Sequence, residues 1–213
     1  YALKAKFVGQ KTQISLNAED ECFRRLGLTR RSFAAGIAAL DKPLRTPVCV
    51  VYLVLRALDT VEDDMTVEDS RKRQLLRSFH ERLADPKTCR HGIGGLGDQP
   101  EYVELIDNFD KVVRSYQDHC SGPQQEIIAD ITRDMGEGMA SFVGVGALGS
   151  TKDYDSYCHV VAGLVGIGLS KLFVCESPDQ KPLTSKRGLR LADSMGKFLQ
   201  TTNITRDYAE DVA

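Results

Sequence analysis

Apolar residues recur at three- and four-residue steps through most of the chain, and strand-like alternation does not persist over successive segments. That pattern predicts an all-α protein. Helices are expected over 18–26 (Asn17 as N-cap), 32–40, 47–63, 68–83, 101–120, 124–142, 154–174 and 188–210. Pro43 and Pro47 introduce the third, Asp85-Pro86 closes the fourth, and Ser121-Gly122-Pro123 stops the fifth. Gly92, Gly94, Gly95 and Gly97 mark 89–100 as a loop, and 177–186 reads as another. Eight helices with short links predict one domain, a bundle around a central cavity. No uninterrupted apolar run reaches the ~18–20 residues of a membrane span, so these residues are expected to be soluble.

The polar positions carry the chemistry. Asp59 and Asp63 end the apolar third helix, and their i, i+4 spacing puts them on one face about 6 Å apart along the axis. The same face carries Arg56 and Tyr52 one and two turns earlier. Like charges at this spacing destabilise an isolated helix by a few tenths of a kcal/mol, and acids at a helix C-terminus oppose its dipole. Solvent or a bound divalent cation would relieve both. The last helix repeats the device: Asp207 and Asp211 follow Asn203, Leu199 and Met195 on one stripe, with Arg206 beside them. A stripe that turns from apolar to polar along its length leaves a core and enters a cavity; a surface helix divides its residues around its circumference instead. Two facing carboxylate pairs would suit Mg²⁺, which binds carboxylates together with water and phosphate oxygens. Loss of diphosphate from an allylic substrate is the chemistry such a site serves.

In 154–174, Gly163, Gly166 and Gly168 each cost about 1 kcal/mol relative to alanine. Close helix packing explains them, and so does room for a long isoprenoid chain. Tyr157 shares a face with Val161, Leu164 and Gly168. No G-x-G-x-x-G follows a strand, so no Rossmann nucleotide site is expected.

Composition narrows the partners. With 28 basic against 30 acidic residues, the chain lacks the basic excess of a nucleic-acid binder. The basic run from Arg71 to Arg77 reads as a solvated face. None of the six cysteines forms a C-x-x-C pair; Cys49 and Cys158 lie in apolar runs and read as small hydrophobes. A reducing compartment is expected.

Three segments carry a family resemblance. Tyr52-Leu53-Val54-Leu55-Arg56-Ala57-Leu58-Asp59-Thr60-Val61-Glu62-Asp63-Asp64 resembles the first aspartate-rich motif of eukaryotic squalene synthases. Tyr157-Cys158-His159-Val160-Val161-Ala162-Gly163-Leu164-Val165-Gly166 resembles their central tyrosine motif, and the stretch from Phe198 to Asp211 their second aspartate-rich motif. Arg31-Ser32-Phe33-Ala34-Ala35 resembles a segment lining the substrate site. The resemblance implies the all-α isoprenoid (terpenoid) synthase fold and head-to-head condensation of two farnesyl diphosphates to presqualene diphosphate, reduced with NADPH to squalene. It implies that Asp59, Glu62, Asp63, Asp207 and Asp211 hold Mg²⁺, with Asp64 and Glu210 as neighbours. Arg31, Tyr52, Arg56 and Arg206 would meet diphosphate oxygens, a role suited to the arginine fork. Phe33 would line the cation pocket, Tyr157 would assist proton removal as the cyclopropane closes, and Asn203 and Arg206 would lie near NADPH. It further implies a monomer on the endoplasmic reticulum membrane, held by a C-terminal segment beyond these residues. The chain departs from the family pattern at Arg30, Thr201 and Thr205. A phytoene or dehydrosqualene synthase would share the site without the reductant. A non-catalytic isoprenoid binder would have no use for two costly carboxylate pairs.

Overall fold

The computed structural model describes residues 17–29, 31–146 and 148–211, with the side chains of all these except 29, 31–33 and 208–211. Among the described residues all regular structure is helical. The α-helices are α1 (Ala18–Thr29), α2 (Arg31–Ala38), α3 (Lys42–Asp63), α4 (Asp69–Arg77), α5 (Pro100–Asp107), α6 (Phe109–His119), α7 (Gly122–Phe142), α8 (Thr151–Cys158), α9 (Leu164–Glu176) and α10 (Lys186–Asp211).

The core forms around α3, which packs on α1, α6, α7 and α9. Its residues Leu53, Val54, Ala57, Leu58 and Val61 are fully buried. α3 begins five residues before the sequence pattern predicts, because Pro43 occupies its first turn, where a missing N–H costs nothing. Pro47 lies inside the helix and cannot donate to the Pro43 carbonyl. The Gln124 side-chain amide at the start of α7 approaches that carbonyl instead, at 3.4 Å, and also donates to Glu176 at the end of α9, at 2.6 Å.

Other boundaries differ for local reasons. The expected 101–120 helix breaks at Asn108 (φ −119°, ψ 25°). The break drops Phe109 into the core against Phe79, ring centroids 5.4 Å apart, and the Asn108 amide donates back to the Glu104 carbonyl at 3.0 Å. α4 tightens after Arg77 into a 3₁₀ turn, Phe79–Ala84, and the loop expected over 177–186 holds another, Pro178–Thr184. α8 runs into α9 through a π-turn, His159–Gly163, so that one helical rod spans Thr151–Glu176. At 26 residues this rod is long and apolar enough to cross a membrane by length and composition, although polar residues interrupt its apolar runs. Here it packs on α3, α7 and α10.

All six cysteines are free and five are buried. Burial pushes the Cys22 and Cys120 thiols up to about 12, which leaves them as small apolar side chains.

Candidate active site

One wall of the site is the C-terminal half of α3. Of the stripe Tyr52, Arg56, Asp59 and Asp63, the first three are half-buried and Asp63 is exposed; Glu62 beside them is half-buried. Arg56 Nη1 stands 3.3 Å from Asp59 Oδ2, and its guanidinium lies 5.6 Å from the centre of the Tyr102 ring. Burial opposes the Arg56 charge, but Asp59, Tyr52 and Tyr102 outweigh it and raise the group further. Its buried Nε has no hydrogen-bond partner among the described residues. Burial pushes Asp59 up to about 7, against Arg56 and with help from Asp63. Burial, then Asp59 and Asp63, push Glu62 up to about 8. Asp63 is raised by burial as well, reinforced by Asp98 and opposed by Arg56 and Lys72. Asp59 and Glu62 are thus crowded until their protons are retained near neutrality, and Asp63 is raised beside them.

Asp64 does not belong to this cluster. It is 5% exposed and accepts from Thr66 N (2.8 Å), Thr66 Oγ1 (2.6 Å) and Gly97 N (2.8 Å). Although burial works against its charge, these bonds and Lys72 hold it below the usual carboxylate range. It pins the 89–100 loop to the end of α3.

Tyr157 on α8 faces the same cluster. Burial, then the carboxylates of Glu62, Asp63 and Asp59, push its phenol up. Phe142 at the end of α7 meets its ring edge-on, centroids 5.4 Å apart. The second acidic motif lies on α10, which packs on α8 and α9. There Asn203 is half-buried, and Asp207 is exposed and accepts from its neighbour Arg206 at 2.8 and 3.0 Å. α9 stands between α3 and α10 and packs on both. Asp211 ends α10, but its side chain, like those of Glu210, Arg31 and Phe33, lies outside the described residues.

Two readings from sequence change. Lys72 is not part of a solvated face: it is 6% exposed, and its charge reaches Glu62, Asp63 and Asp64. The glycines of the rod serve packing. A side chain at Gly163 would strike Asp193, one at Gly166 the Ala192 carbonyl, and one at Gly168 the Ile131 side chain. No space for a lipid chain remains at those three points. Tyr102, Asp98 and Phe142 join the site unannounced, since each arrives from another helix or loop and no spacing in the chain connects them to α3.

A helical bundle whose central apolar helix ends in crowded acids, flanked by an arginine and a facing tyrosine, is the architecture of an isoprenoid synthase. The solved structure of TcSQS in complex with the ligand BPH1237 matches with a TM-score of 0.84 and 40% identity, over 92% of this chain and 55% of that one. The chain belongs to the squalene/phytoene synthase family, whose sequence model matches residues 27–213. Squalene synthase BSS of Botryococcus braunii is 49% identical over 191 residues, 90% of this chain and 40% of that protein. Human squalene synthase is 43% identical over 209 residues, 98% of this chain and 48% of that protein. The chain therefore spans less than half the length of these relatives.

Proposed function

We propose that this chain carries the diphosphate-releasing and ring-closing part of a squalene synthase: two farnesyl diphosphates joined head to head as presqualene diphosphate. The observation that carries this reading is the crowding of Asp59, Glu62 and Asp63 at the end of α3 beside Arg56, with the Tyr157 phenol within reach of their charges. One substrate would lose its diphosphate, and its C1 would bond to the 2,3-double bond of the other. Closing the cyclopropane then releases one proton.

The α3 residues fit a divalent cation by their chemistry. Asp59, Glu62 and Asp63 are hard oxygen donors crowded enough to gain from a positive charge. The partnerless Nε of Arg56 supplies a donor for a phosphate oxygen. Among the described residues no three acids, histidines or cysteines converge into a preformed cage. That suits Mg²⁺, which fills its shell with substrate phosphate and water. Asp59, Glu62 and Asp63, with Asp207 and Asp211 from α10, would hold Mg²⁺, which when bound neutralises the departing diphosphate. Arg56 and Tyr52 would orient that diphosphate, with Arg31 and Arg206 as further donors and Phe33 against the cation. Tyr157 would take the ring-closure proton on its phenol oxygen while passing its own to an ionised neighbouring carboxylate.

Reduction to squalene with NADPH is proposed from kinship with the squalene synthases. Asn203 and Arg206 on α10 would lie near that cofactor, and no hydride step is drawn through them. The eukaryotic relatives favour an endoplasmic reticulum setting, and the chain is proposed to act as a monomer.

The test is incubation with farnesyl diphosphate and Mg²⁺, with and without NADPH, and mass spectrometry of the products. Presqualene diphosphate without NADPH, giving way to squalene with it, is expected. Dehydrosqualene formed regardless of NADPH would move the chain to the carotenoid branch of the family. Absence of metal-dependent diphosphate release would sink the reading.

A further inference from the structure

Four charged or ionisable side chains join the tyrosine-bearing rod to α10. His159 Nδ1 stands 2.6 Å from Asp193 Oδ1. Lys197 Nζ lies 3.2 Å from the other Asp193 oxygen and 3.1 Å from Asp155 Oδ2. Asp155 and His159 are one turn apart on the rod, and Asp193 and Lys197 are one turn apart on α10. The result is a clasp with two teeth from each helix.

Backbone contact makes the clasp possible. A side chain at Gly196 would strike the Ala162 carbonyl and come within 3.0 Å of Gly163 Cα, and one at Gly163 would strike Asp193 itself. With no side chains between them, α10 presses against the π-turn, and Asp193 reaches the histidine that opens that turn. An ordinary surface ion pair contributes little. Here the pair is half-buried, with Asp193 20% exposed, and Gly196 lets the α10 backbone approach so closely that any side chain there would strike the Ala162 carbonyl.

The clasp lies behind Tyr157. At ~100° per residue, a residue two positions from Asp155 and from His159 points to the far side of the helix from both. On that far side the Tyr157 ring meets Phe142 edge-on, centroids 5.4 Å apart, and its phenol feels the charges of Glu62, Asp63 and Asp59.

We infer that His159 and Asp193 are positioning residues for Tyr157: they hold the rod against α10 from behind and so fix where the phenol stands relative to the α3 carboxylates. This rests on the role proposed for Tyr157. The π-turn gives it a physical basis, since such single-turn π-bulges are rare in helices and frequently sit at functional sites, and α10 packs directly on this one. Asp193 is held below the usual carboxylate range although burial opposes it, because His159 and Lys197 both donate to it.

The experiment compares His159→Ala, His159→Asn and Tyr157→Phe, singly and with His159→Ala combined with Tyr157→Phe. Asparagine places its amide where Nδ1 stands and can keep the bond to Asp193. In the Mg²⁺-dependent assay, His159→Ala should lose about 10- to 100-fold in kcat, the scale of a small misplacement of a reacting group. KM should stay within about twofold, and His159→Asn should recover most of the rate. In the Tyr157→Phe background, His159→Ala should cost nothing more, because the group it positions is gone. An equal loss in both backgrounds, or no loss in either, overturns the inference. A second readout needs no turnover: protein labelled with 3-fluorotyrosine is assigned through Tyr157→Phe and followed by ¹⁹F NMR. The Tyr157 signal should shift or broaden in His159→Ala and return in His159→Asn; an unmoved signal overturns the inference. An inactive parent chain would count against the proposed function alone, and the fluorine signal would still decide the role of the clasp.

Discussion

Arg56 and Asp59 sit one turn apart on α3 with 3.3 Å between guanidinium and carboxylate, yet Asp59 still holds its proton up to about pH 7. One arginine does not balance the burial and the neighbouring acids. α3 therefore ends with a charge deficit that a cation can fill. Asp59→Asn should lower Mg²⁺-dependent diphosphate release by about 10²-fold or more, the scale for removing one preorganised electrostatic contact. It should also raise the stability of the cation-free protein at pH 8 by about 1–2 kcal/mol, since crowded active-site charges cost stability. Thermal melts paired with a diphosphate-release assay check both signs.

The pH dependence follows from the same groups. Asp59 titrates near 7 and Glu62 near 8 in the folded chain, against ~4 when unfolded. Between those limits the native state holds more protons than the unfolded state, so stability falls as pH rises. This contribution is most favourable below ~4 and is gone above about 8. Glu21, held at about 2 by Arg24 and, against burial, by Arg25, acts in the opposite direction, but its stabilisation is already complete above ~4.5. Without cation the melting temperature should decline from pH 6 to pH 9. Apparent Mg²⁺ affinity should rise over the same interval, because each bound ion displaces fewer protons. Calorimetry in buffers of different ionisation heat would count the protons released.

Tyr157→Phe keeps the edge contact with Phe142 and removes only the hydroxyl. Formation of presqualene diphosphate should fall by about 10²–10⁴, the usual contribution of a positioned acid or base, while the melting temperature stays within a few degrees. Product analysis beside thermal melts separates this from a folding defect.

Asp64 anchors rather than binds. Asp64→Ala leaves the amides of Thr66 and Gly97 without their acceptor and should cost about 1–3 kcal/mol. Hydrogen exchange in 89–100 should quicken, with little change in cation affinity.

Gly136 on α7 faces the Leu76 carbonyl of α4 so closely that any side chain there would strike it. Gly136→Ala should destabilise the fold by about 1–3 kcal/mol through displaced backbone. A denaturant titration would register it as a lower midpoint.

How much of this could be read along the chain depends on whether the signal is periodic. Asp59 and Asp63, with Arg56 and Tyr52 behind them, declare themselves because one helix sets their spacing. α3, α7 and α10 were legible for the same reason. Lys72 was not: its basic neighbours suggest a surface, and only the packing of α4 against α3 buries it. Asp64 reads as a fourth member of an acidic run until Gly97, 33 residues away, claims it. Asn108 breaks a helix that its periodicity would continue, since burying Phe109 is worth more than an unbroken rod. The clasp of His159 with Asp193 spans 34 residues and depends on a π-turn, which leaves no mark on hydrophobic spacing.

The side-chain amide of Gln124 takes the place of the hydrogen bond that Pro47 cannot make, and it touches both Pro43 and Glu176. Those partners lie 81 residues before it and 52 after it. On a ribosome, therefore, the opening turn of the central helix emerges long before the residues that complete it. The Pro43 carbonyl must rely on water until α7 appears, and the joint cannot close until synthesis has passed Glu176. Maturation of the first half of this chain is thus timed by the arrival of its last third.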